Sequence, residues 1–143
     1  MLQLCERLGT TFVSFSPIGR GMLTDAEPDP ARFPDGDFRA ANPRFMEPNL
    51  SVNLDKVRRF REYAADKGVA TSTLAIAWTF AKAPSSLAIP GTRSAAHLEE
   101  NATAADLRLS QDEMAEIERI LPAGFAHGSR YSDAQAGSVE NYC

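Results

Sequence analysis

The sequence predicts an α/β fold with parallel strands, and three observations support this prediction. Segments with strand character alternate with segments of helical periodicity along the 143 residues, which is typical of parallel βα units. Both strand segments are apolar without strict alternation, as expected for strands buried on both faces. Only two strands are apparent, and two parallel strands leave both sheet edges unpaired. The sequence is therefore expected to form the end of an α/β fold.

The first third of the chain is predicted to hold a short helix, a strand and a long loop. Leu4 and Leu8 share one helix face, and Gly9 is suited to end that helix. Because the helix starts almost at Met1, the chain is expected to begin inside a larger fold. Residues 10–16 are rich in β-branched and aromatic side chains, which favours a strand. Residues 25–50 are proline-rich and exceed the usual connection length, so this loop is expected to be functional or mobile.

The rest of the chain is predicted to be mainly helical. Residues 51–67 place Val57, Phe60 and Ala64 on one helix face, and Gly68 follows as a stop. Ser110 and Glu113 have the spacing of a capping box at the start of another helix. The predicted elements are helices at 51–67, 71–83, 94–103 and 110–121, a strand at 86–90, and an irregular tail at 122–143.

Composition and charge narrow the class of protein. The net charge of −4 gives no electrostatic basis for binding nucleic acid or an anionic membrane. No apolar run approaches the ~20 residues of a spanning helix, and the start does not resemble a secretion signal. Cys5 and Cys143 lack the spacing of metal ligands, which favours reduced thiols, no metal site and a cytoplasmic location.

Both predicted strands end in turns suited to phosphate binding. The turn after the first strand carries Ser16, Gly19, Arg20 and Gly21, and the second turn carries Gly91, Thr92, Arg93 and Ser94 at a helix start. Backbone N–H groups at a helix start attract anions, and arginine can hold a phosphate through two hydrogen bonds. Each motif alone is more often an ordinary turn or helix cap. Their occurrence on consecutive βα units favours a phosphate site.

Five motifs resemble those of the aldo-keto reductase family. They are "FVSFSPIGRGMLT", "PDGDFRAANPRF", "LAIAWTFAK", "AIPGTRSAAHLEEN" and "LSQDEMAEIERI", and they follow the family's order from about Leu2 to about Tyr131. The nearest branch is that of the microbial aryl-alcohol and pyridoxal-type reductases. The resemblance implies an eight-stranded βα-barrel that reduces aldehydes and ketones with NADPH. This chain would hold strands seven and eight, their helices and the C-terminal helix, making residues 1–143 a partial domain.

The resemblance also implies residue roles, all of them toward NADPH. Phe15 matches an aromatic residue stacked on the nicotinamide, His97 a residue beside the adenine or 2′-phosphate, and residues 25–50 a segment that can fold over the cofactor. The pyrophosphate turn is matched by Ser16, Ile18, Gly19, Arg20 and Leu23. The 2′-phosphate turn is matched by Thr92, Arg93 and Ser94 after Gly91, and the pair at the adenine edge by Glu100 and Asn101.

The resemblance further implies that the residues of proton chemistry are missing. The family uses a tyrosine, a lysine, an aspartate and a histidine, all of which precede the matched stretch. Tyr63, Tyr131 and Tyr142 are predicted to serve packing or the surface, and His127 to be solvated. The chain is therefore expected to bind cofactor without catalysing carbonyl reduction alone. The alternative is a non-catalytic module that binds a nucleotide or associates with another chain through its open strand edges.

Overall fold

A computed structural model describes residues 1–137, so Tyr142 and Cys143 lie outside the described residues. Within that range the chain forms six α-helices and two short strands. In order these are α1 (Leu2–Leu8), β1 (Val13–Phe15), α2 (Asn49–Asp66), α3 (Thr71–Lys82), β2 (Leu87–Ile89), α4 (Ala95–Ala102), α5 (Gln111–Ile120) and α6 (Asp133–Ala136). Across residues 1–137, no helix is long and apolar enough to cross a lipid bilayer.

The two strands pair in parallel, which confirms the predicted α/β class. Val13 pairs with Leu87 and Phe15 pairs with Ile89. The connection between β1 and β2 contains α2 and α3, as a parallel crossover requires. Both strands therefore end at the same edge of the sheet, and the turns that follow them are brought together.

The prediction that both strand faces are buried is wrong for this structure. Val13 is 50% exposed and Leu87 is 59% exposed. The opposite face is covered, because Ala88 packs against the buried residues Ile76 and Ala77 of α3. Helices thus cover one side of the sheet, and no second layer covers the other side among residues 1–137.

The main core lies where α2, α3 and α5 meet. Phe60 and Ala64 of α2 pack against Leu74 and Ala75 of α3 and against Ile117 of α5. The α2 residues belong to the predicted apolar stripe, and α3 is buried continuously from Thr71 to Ala77. Burial of such side chains removes apolar surface from water, which is the main favourable term in folding. The helical periodicity of the sequence therefore specifies this core.

Helix ends follow the predicted signals closely. Gly9 adopts a φ of 63° after α1, and Gly68 adopts 68° after α2, a conformation that glycine reaches without strain. The capping box of Ser110 and Glu113 is present at α5. The start of α2 lies before the predicted one, because Pro48 has a helix-compatible φ of −84° and precedes the first helical residue.

The long loop and the tail contain more local structure than expected. Three short 3₁₀ turns occupy the loop at Pro30–Arg32, Phe38–Ala41 and Pro43–Phe45, each capped by an Asp or Asn side chain. In the tail, Ser132 and Gln135 form a second capping box around α6. The capping side chains explain these turns, because they accept backbone N–H groups two or three residues further on.

Candidate functional site

The carboxyl ends of β1 and β2 carry the predicted site. We call residues 16–23 the β1 turn and residues 91–94 the β2 turn. The pairing of Phe15 with Ile89 places the two turns side by side. In α/β proteins, ligands bind outside the carboxyl ends of parallel strands, so the position agrees with the prediction.

A cleft of about 210 Å³ lies between the β1 turn, the β2 turn and α4; we call it the α4 cleft. It brings together six of the predicted site residues, two residues of the segment predicted to fold over the cofactor, and two that the sequence analysis missed. The six are Ile18, Gly91, Thr92, His97, Glu100 and Asn101, the two of the segment are Asp25 and Ala26, and the missed ones are Thr24 and Ser72.

Asn101 is the polar group in this cleft that most clearly needs a partner. Its side chain is 6% exposed, and its Oδ1 accepts no hydrogen bond from residues 1–137. An unsatisfied buried acceptor costs free energy, and buried polar atoms are nearly always paired in native proteins. A ligand that offers an N–H group in the cleft would satisfy it, as the exocyclic amino group of adenine can.

The neighbouring Glu100 is held by α3. One of its carboxylate oxygens accepts a hydrogen bond from the Ser72 hydroxyl, and its backbone carbonyl accepts one from Thr73 at 2.9 Å. Thr103 donates to the same carbonyl at 2.6 Å. These hydroxyls fix the backbone beside Asn101, so the cleft wall is positioned before any ligand binds.

The β2 turn is organised by local hydrogen bonds. The Ser94 hydroxyl caps α4 by accepting the His97 N–H at 3.4 Å, and Thr92 Oγ1 accepts the Ser94 N–H at 3.1 Å. Both hydroxyls therefore serve the helix start, as the ordinary reading of this motif predicts. Arg93 is exposed and does not line the α4 cleft, so the structure brings Thr92 into the cleft wall and leaves Arg93 on the adjacent surface.

The β1 turn has an unusual backbone. Ser16 and Arg20 have positive φ values of 51° and 60°, which cost a residue with a side chain roughly 1–2 kcal/mol each. Gly19 also has a positive φ, and a Cβ there would lie 3.3 Å from Met22 Cβ. The turn is closed by hydrogen bonds from Gly19 to the Ser16 carbonyl and from Leu23 to the Ile18 carbonyl.

The β1 turn separates two clefts, and the predicted pyrophosphate residues divide between them. Ile18 lines the α4 cleft, whereas Ser16, Gly19 and Leu23 line a second cleft of about 160 Å³. We call the second one the Arg44 cleft. Its other walls come from the loop, α2 and the tail, including Arg44, Asn53 and Phe125. Arg44 belongs to the segment predicted to fold over the cofactor. The sequence analysis missed Asn53 and Phe125, because neither helical periodicity nor an irregular tail shows which residues reach a distant turn.

Phe15 and Arg20 contact the tail. The Arg20 guanidinium lies 4.6 Å from the Phe38 ring centroid and 4.8 Å from that of Tyr131. It also donates to the Arg130 carbonyl at 3.0 Å. The Arg130 guanidinium in turn lies 4.4 Å from the centroid of the Phe15 ring. The predicted nicotinamide platform is thus covered by an arginine from the tail.

Side chains of the loop and α2 hold the tail by its backbone. Asn53, which is 1% exposed, donates to the His127 carbonyl and accepts the His127 N–H at 2.7 Å. The other donors are Lys56 to the Phe125 carbonyl, Arg44 to the Gly128 carbonyl and Asn42 to the Arg130 carbonyl. Because these side chains bind backbone groups of the tail, the path of the tail depends little on the tail's own side chains.

Positive charge accumulates next to the Arg44 cleft. Burial lowers the pKa of the Arg44 guanidinium, and the charges of Arg130 and Arg20 lower it further. The nearby Asp37 carboxylate is bound by Arg39 through two hydrogen bonds of 3.0 and 2.7 Å. Arg39 hydrogen bonds hold the pKa of Asp37 at about 2, so that carboxylate is already engaged.

The geometry defines a class first: an α/β protein in which two parallel strands end at a polar cleft beside a capped helix. The model of the Aldo/keto reductase family matches residues 1–122. The chain belongs to the aldo/keto reductase family, which confirms the resemblance seen in the motifs.

Curated relatives agree with this assignment, and a solved structure shares the fold. The chain is 34% identical to aldo-keto reductase yakc of Schizosaccharomyces pombe, whose name carries NADP(+), over 97% of this chain and 41% of the relative. It is 32% identical to aldo-keto reductase str7 of Strobilurus tenacellus with the same coverage. It superposes on a glycerol dehydrogenase of Gluconobacter oxydans with a TM-score of 0.74 at 23% identity, over 85% of this chain and 37% of that one. The chain thus spans about 41% of the length of these curated relatives.

Proposed function

We propose that this chain is the cofactor-binding portion of an NADPH-dependent aldo-keto reductase. It would contribute strands seven and eight of a βα-barrel, their helices and the C-terminal helix. Family membership and the NADP(+) in a relative's name support this proposal. NADPH supplies the hydride with which such enzymes reduce a small aldehyde or ketone to an alcohol.

The unpaired Oδ1 of Asn101 is the observation that carries the proposal. In the α4 cleft this atom would accept a hydrogen bond from the adenine amino group, next to Glu100. His97 and Thr92 would border the adenosine ribose and its 2′-phosphate. Arg93, exposed beside the cleft, would reach the 2′-phosphate by a side-chain movement, while Gly91 and Ser94 would place the backbone of the β2 turn and the start of α4 beside it.

The β1 turn would bind the rest of the cofactor. Its residues Ser16, Ile18, Gly19, Arg20 and Leu23 would surround the pyrophosphate, and the Phe15 ring would hold the nicotinamide. Since Arg130 covers that ring, its guanidinium would have to share the platform with the nicotinamide or move aside.

Binding by the purified 143-residue chain tests the Asn101 assignment. In a fluorescence titration, Asn101→Leu should weaken NADPH and NADH at least about tenfold, because both share adenine and a buried hydrogen bond is lost. The same substitution should not lower the free energy of unfolding, since it removes an unpaired buried acceptor. Unchanged affinity for both nucleotides would contradict the adenine site.

The 2′-phosphate assignment has a separate test. Arg93→Ala should weaken NADPH about tenfold or more and leave NADH unchanged, because a charge-assisted hydrogen bond contributes about 1.5–3 kcal/mol. The control is Arg59→Ala on the exposed face of α2. Retention of any NADPH preference in Arg93→Ala would show that the assignment is wrong.

The isolated chain is proposed to be inactive in carbonyl reduction. Tyr63 lies in α2 against the core cluster of Phe60, and its neighbour Lys67 pairs with Glu113. Tyr131 packs edge-on against Phe38. A general acid must be positioned at the reacting group, and these packing contacts support the proposal that neither tyrosine acts as one. Cofactor-dependent turnover of an aldehyde by the purified chain would contradict this.

A second candidate is a non-catalytic module that associates through its sheet. The exposed strand residues Val13, Phe15, Leu87 and Ile89 favour it, because open edges and apolar faces promote pairing. Size-exclusion chromatography with light scattering distinguishes the two. Nucleotide binding by a monomer supports the first function, whereas a concentration-dependent dimer without nucleotide affinity supports the second.

A further inference from the structure

Three arginines from distant parts of the chain lie near one another, and one of them covers the Phe15 ring. Arg20 belongs to the β1 turn, Arg44 to the loop and Arg130 to the tail. The Arg130 guanidinium covers the Phe15 ring, and Arg20 donates to the Arg130 carbonyl. The charges of Arg20 and Arg130 both act on Arg44. We call these three residues the arginine cluster.

The arginine cluster has no acidic partner within residues 1–137. None of its guanidinium nitrogens lies within 4.0 Å of a carboxylate there, whereas other arginines of the protein do pair, including Arg39 with Asp37 and Arg61 with Glu27. Placing three like charges together opposes folding unless something compensates for it. A bound anionic ligand would compensate for this repulsion.

Most hydrogen-bond donors of the cluster remain available. A guanidinium offers five N–H donors. Arg20 uses one on the Arg130 carbonyl, and Arg44 uses one on the Gly128 carbonyl at 3.3 Å. The Arg130 side chain makes no hydrogen bond to residues 1–137 but stacks on an aromatic ring. Stacking fixes the plane of the guanidinium against the ring. Its outer N–H groups can then bind a carboxylate or phosphate through two parallel hydrogen bonds.

We propose that the arginine cluster is an oxyanion-binding site for a ligand held against Phe15. The oxyanion is the acidic group of a carbonyl substrate, such as a carboxylate, and binding of the cofactor diphosphate is the alternative that the test below separates from it. This inference rests on the proposed function and would define the substrates as acidic aldehydes or ketones. Because Arg130 stands on the ring assigned to the nicotinamide, the site lies at the reacting end of the cofactor.

Calorimetry on the 143-residue protein at low salt tests the site without any turnover. The probes are benzoate, its uncharged counterpart benzamide, and inorganic pyrophosphate. We expect benzoate to bind, and benzamide to bind at least about tenfold more weakly than benzoate. Arg130→Met should weaken the bound anion about tenfold or more, since it removes a charge-assisted interaction. Arg130→Lys keeps the charge but cannot form two parallel hydrogen bonds, so its affinity for the anion should lie between those of the wild type and Arg130→Met.

The control is Arg59→Met, which makes the same charge change on the exposed face of α2 and should bind as wild type. Arg130→Met should leave the fold intact, because the tail is held by the Arg130 carbonyl and not by its guanidinium. Circular dichroism checks this. Absence of binding by both anions, or equal binding by wild type and Arg130→Met, overturns the proposal.

Saturating NADPH distinguishes a substrate group from the cofactor diphosphate. Benzoate that still binds with NADPH present identifies the oxyanion as a substrate group. Pyrophosphate that binds alone and is displaced by NADPH, with no binding of benzoate, overturns the proposal, because the cluster would then serve only the cofactor diphosphate. If benzoate binds and NADPH does not, the oxyanion site is supported and the proposed cofactor function fails. Failure of the one proposal can therefore be told from failure of the other.

Discussion

The β1 turn and the β2 turn carry similar residues but are built differently. The β2 turn is organised by hydrogen bonds between residues two or three apart, such as Ser94 to His97, and its Arg93 is exposed. The β1 turn is locked by distant partners: Arg20 contacts Phe38 in the loop and Tyr131 in the tail. The same motif of glycine, hydroxyl and arginine thus forms a locally capped helix start in the β2 turn and a turn held by the loop and the tail in the β1 turn.

The same phosphate-type motif can therefore have two structural roles. In the β2 turn, the hydroxyls are needed by the helix whether or not a phosphate binds. In the β1 turn, the strained backbone of Ser16 and Arg20 persists because surrounding contacts hold it. Substitutions in the two regions should therefore have effects of different size and reach.

The largest expected effect follows from releasing the tail that supports the β1 turn. Asn53→Ala removes the bonds to the carbonyls of Arg44 and His127 and the acceptor for the His127 N–H. The free energy of unfolding should fall by about 2–4 kcal/mol, because buried backbone groups lose their partners. Urea denaturation measures the loss, and amide exchange should accelerate at His127 but not in α4.

The matched control for the tail is Asn101, a buried asparagine at the β2 turn side. Asn101→Ala removes a side chain whose Oδ1 has no partner within residues 1–137, so it should cost less than half as much. Equal losses for the two asparagines would refute the view that the β1 turn depends more on distant contacts.

A smaller effect is expected when the arginine of each turn is changed to methionine. Arg20→Met loses a hydrogen bond and two cation–π contacts and should cost about 1–2 kcal/mol. Arg93→Met should stay within about 0.5 kcal/mol, as for an exposed residue without contacts. Paired denaturation curves measure both, and a larger loss for Arg93→Met would reverse the comparison.

Removing the helix cap of the β2 turn should have a local effect. Ser94→Ala should lower the free energy of unfolding by about 0.5–1 kcal/mol, because the 3.4 Å cap to the His97 N–H is lost. Amide exchange should accelerate at the start of α4 and stay unchanged in the tail. Ser85→Ala, at an exposed serine outside any helix, serves as the control, and faster exchange in the tail would contradict a local role.

The smallest effect is a loss of stability in acid on the β1 side. Arg39 lowers the pKa of Asp37 from 3.8 to about 2. The stabilisation is complete above pH 3.8 and is lost as the pH falls toward 2, because the unfolded state then binds the proton more readily. Screening by solvent limits the loss to below about 1 kcal/mol. Unfolding at pH 5 and pH 2.5 should show this difference in the wild type.

The acid effect is checked against two variants. Asp37→Asn should lose that part of the pH dependence. Glu113→Gln should keep the part that comes from Asp37 and lose a separate part, because Lys67 holds the pKa of Glu113 at about 2 in an ion pair between the end of α2 and α5. Identical pH profiles for the wild type and Asp37→Asn would show that Asp37 does not stabilise this region.

Much of the candidate site was predictable because it depends on order along the chain. Two apolar segments separated by helices predict parallel strands, and parallel strands bring the β1 and β2 turns together. The division of the site was not predictable. Ile18 and Gly19 are adjacent, yet they line different clefts, because a sequence does not show on which side of a turn each residue lies.

By itself, the sequence determined the helices, their ends and the cap of the β2 turn. Periodicity within α2 and the spacing of Ser110 and Glu113 are local signals, because helical neighbours lie three or four residues apart. Only the tertiary structure decided how the tail lies, which face of the sheet is covered, and that Arg20, Arg44 and Arg130 meet. The covered face depends on the packing of Ala88 against α3. The path of the tail and the meeting of the arginines depend on side-chain hydrogen bonds to backbone carbonyls across about 70–110 residues, and the sequence does not single out such carbonyls because every residue has one.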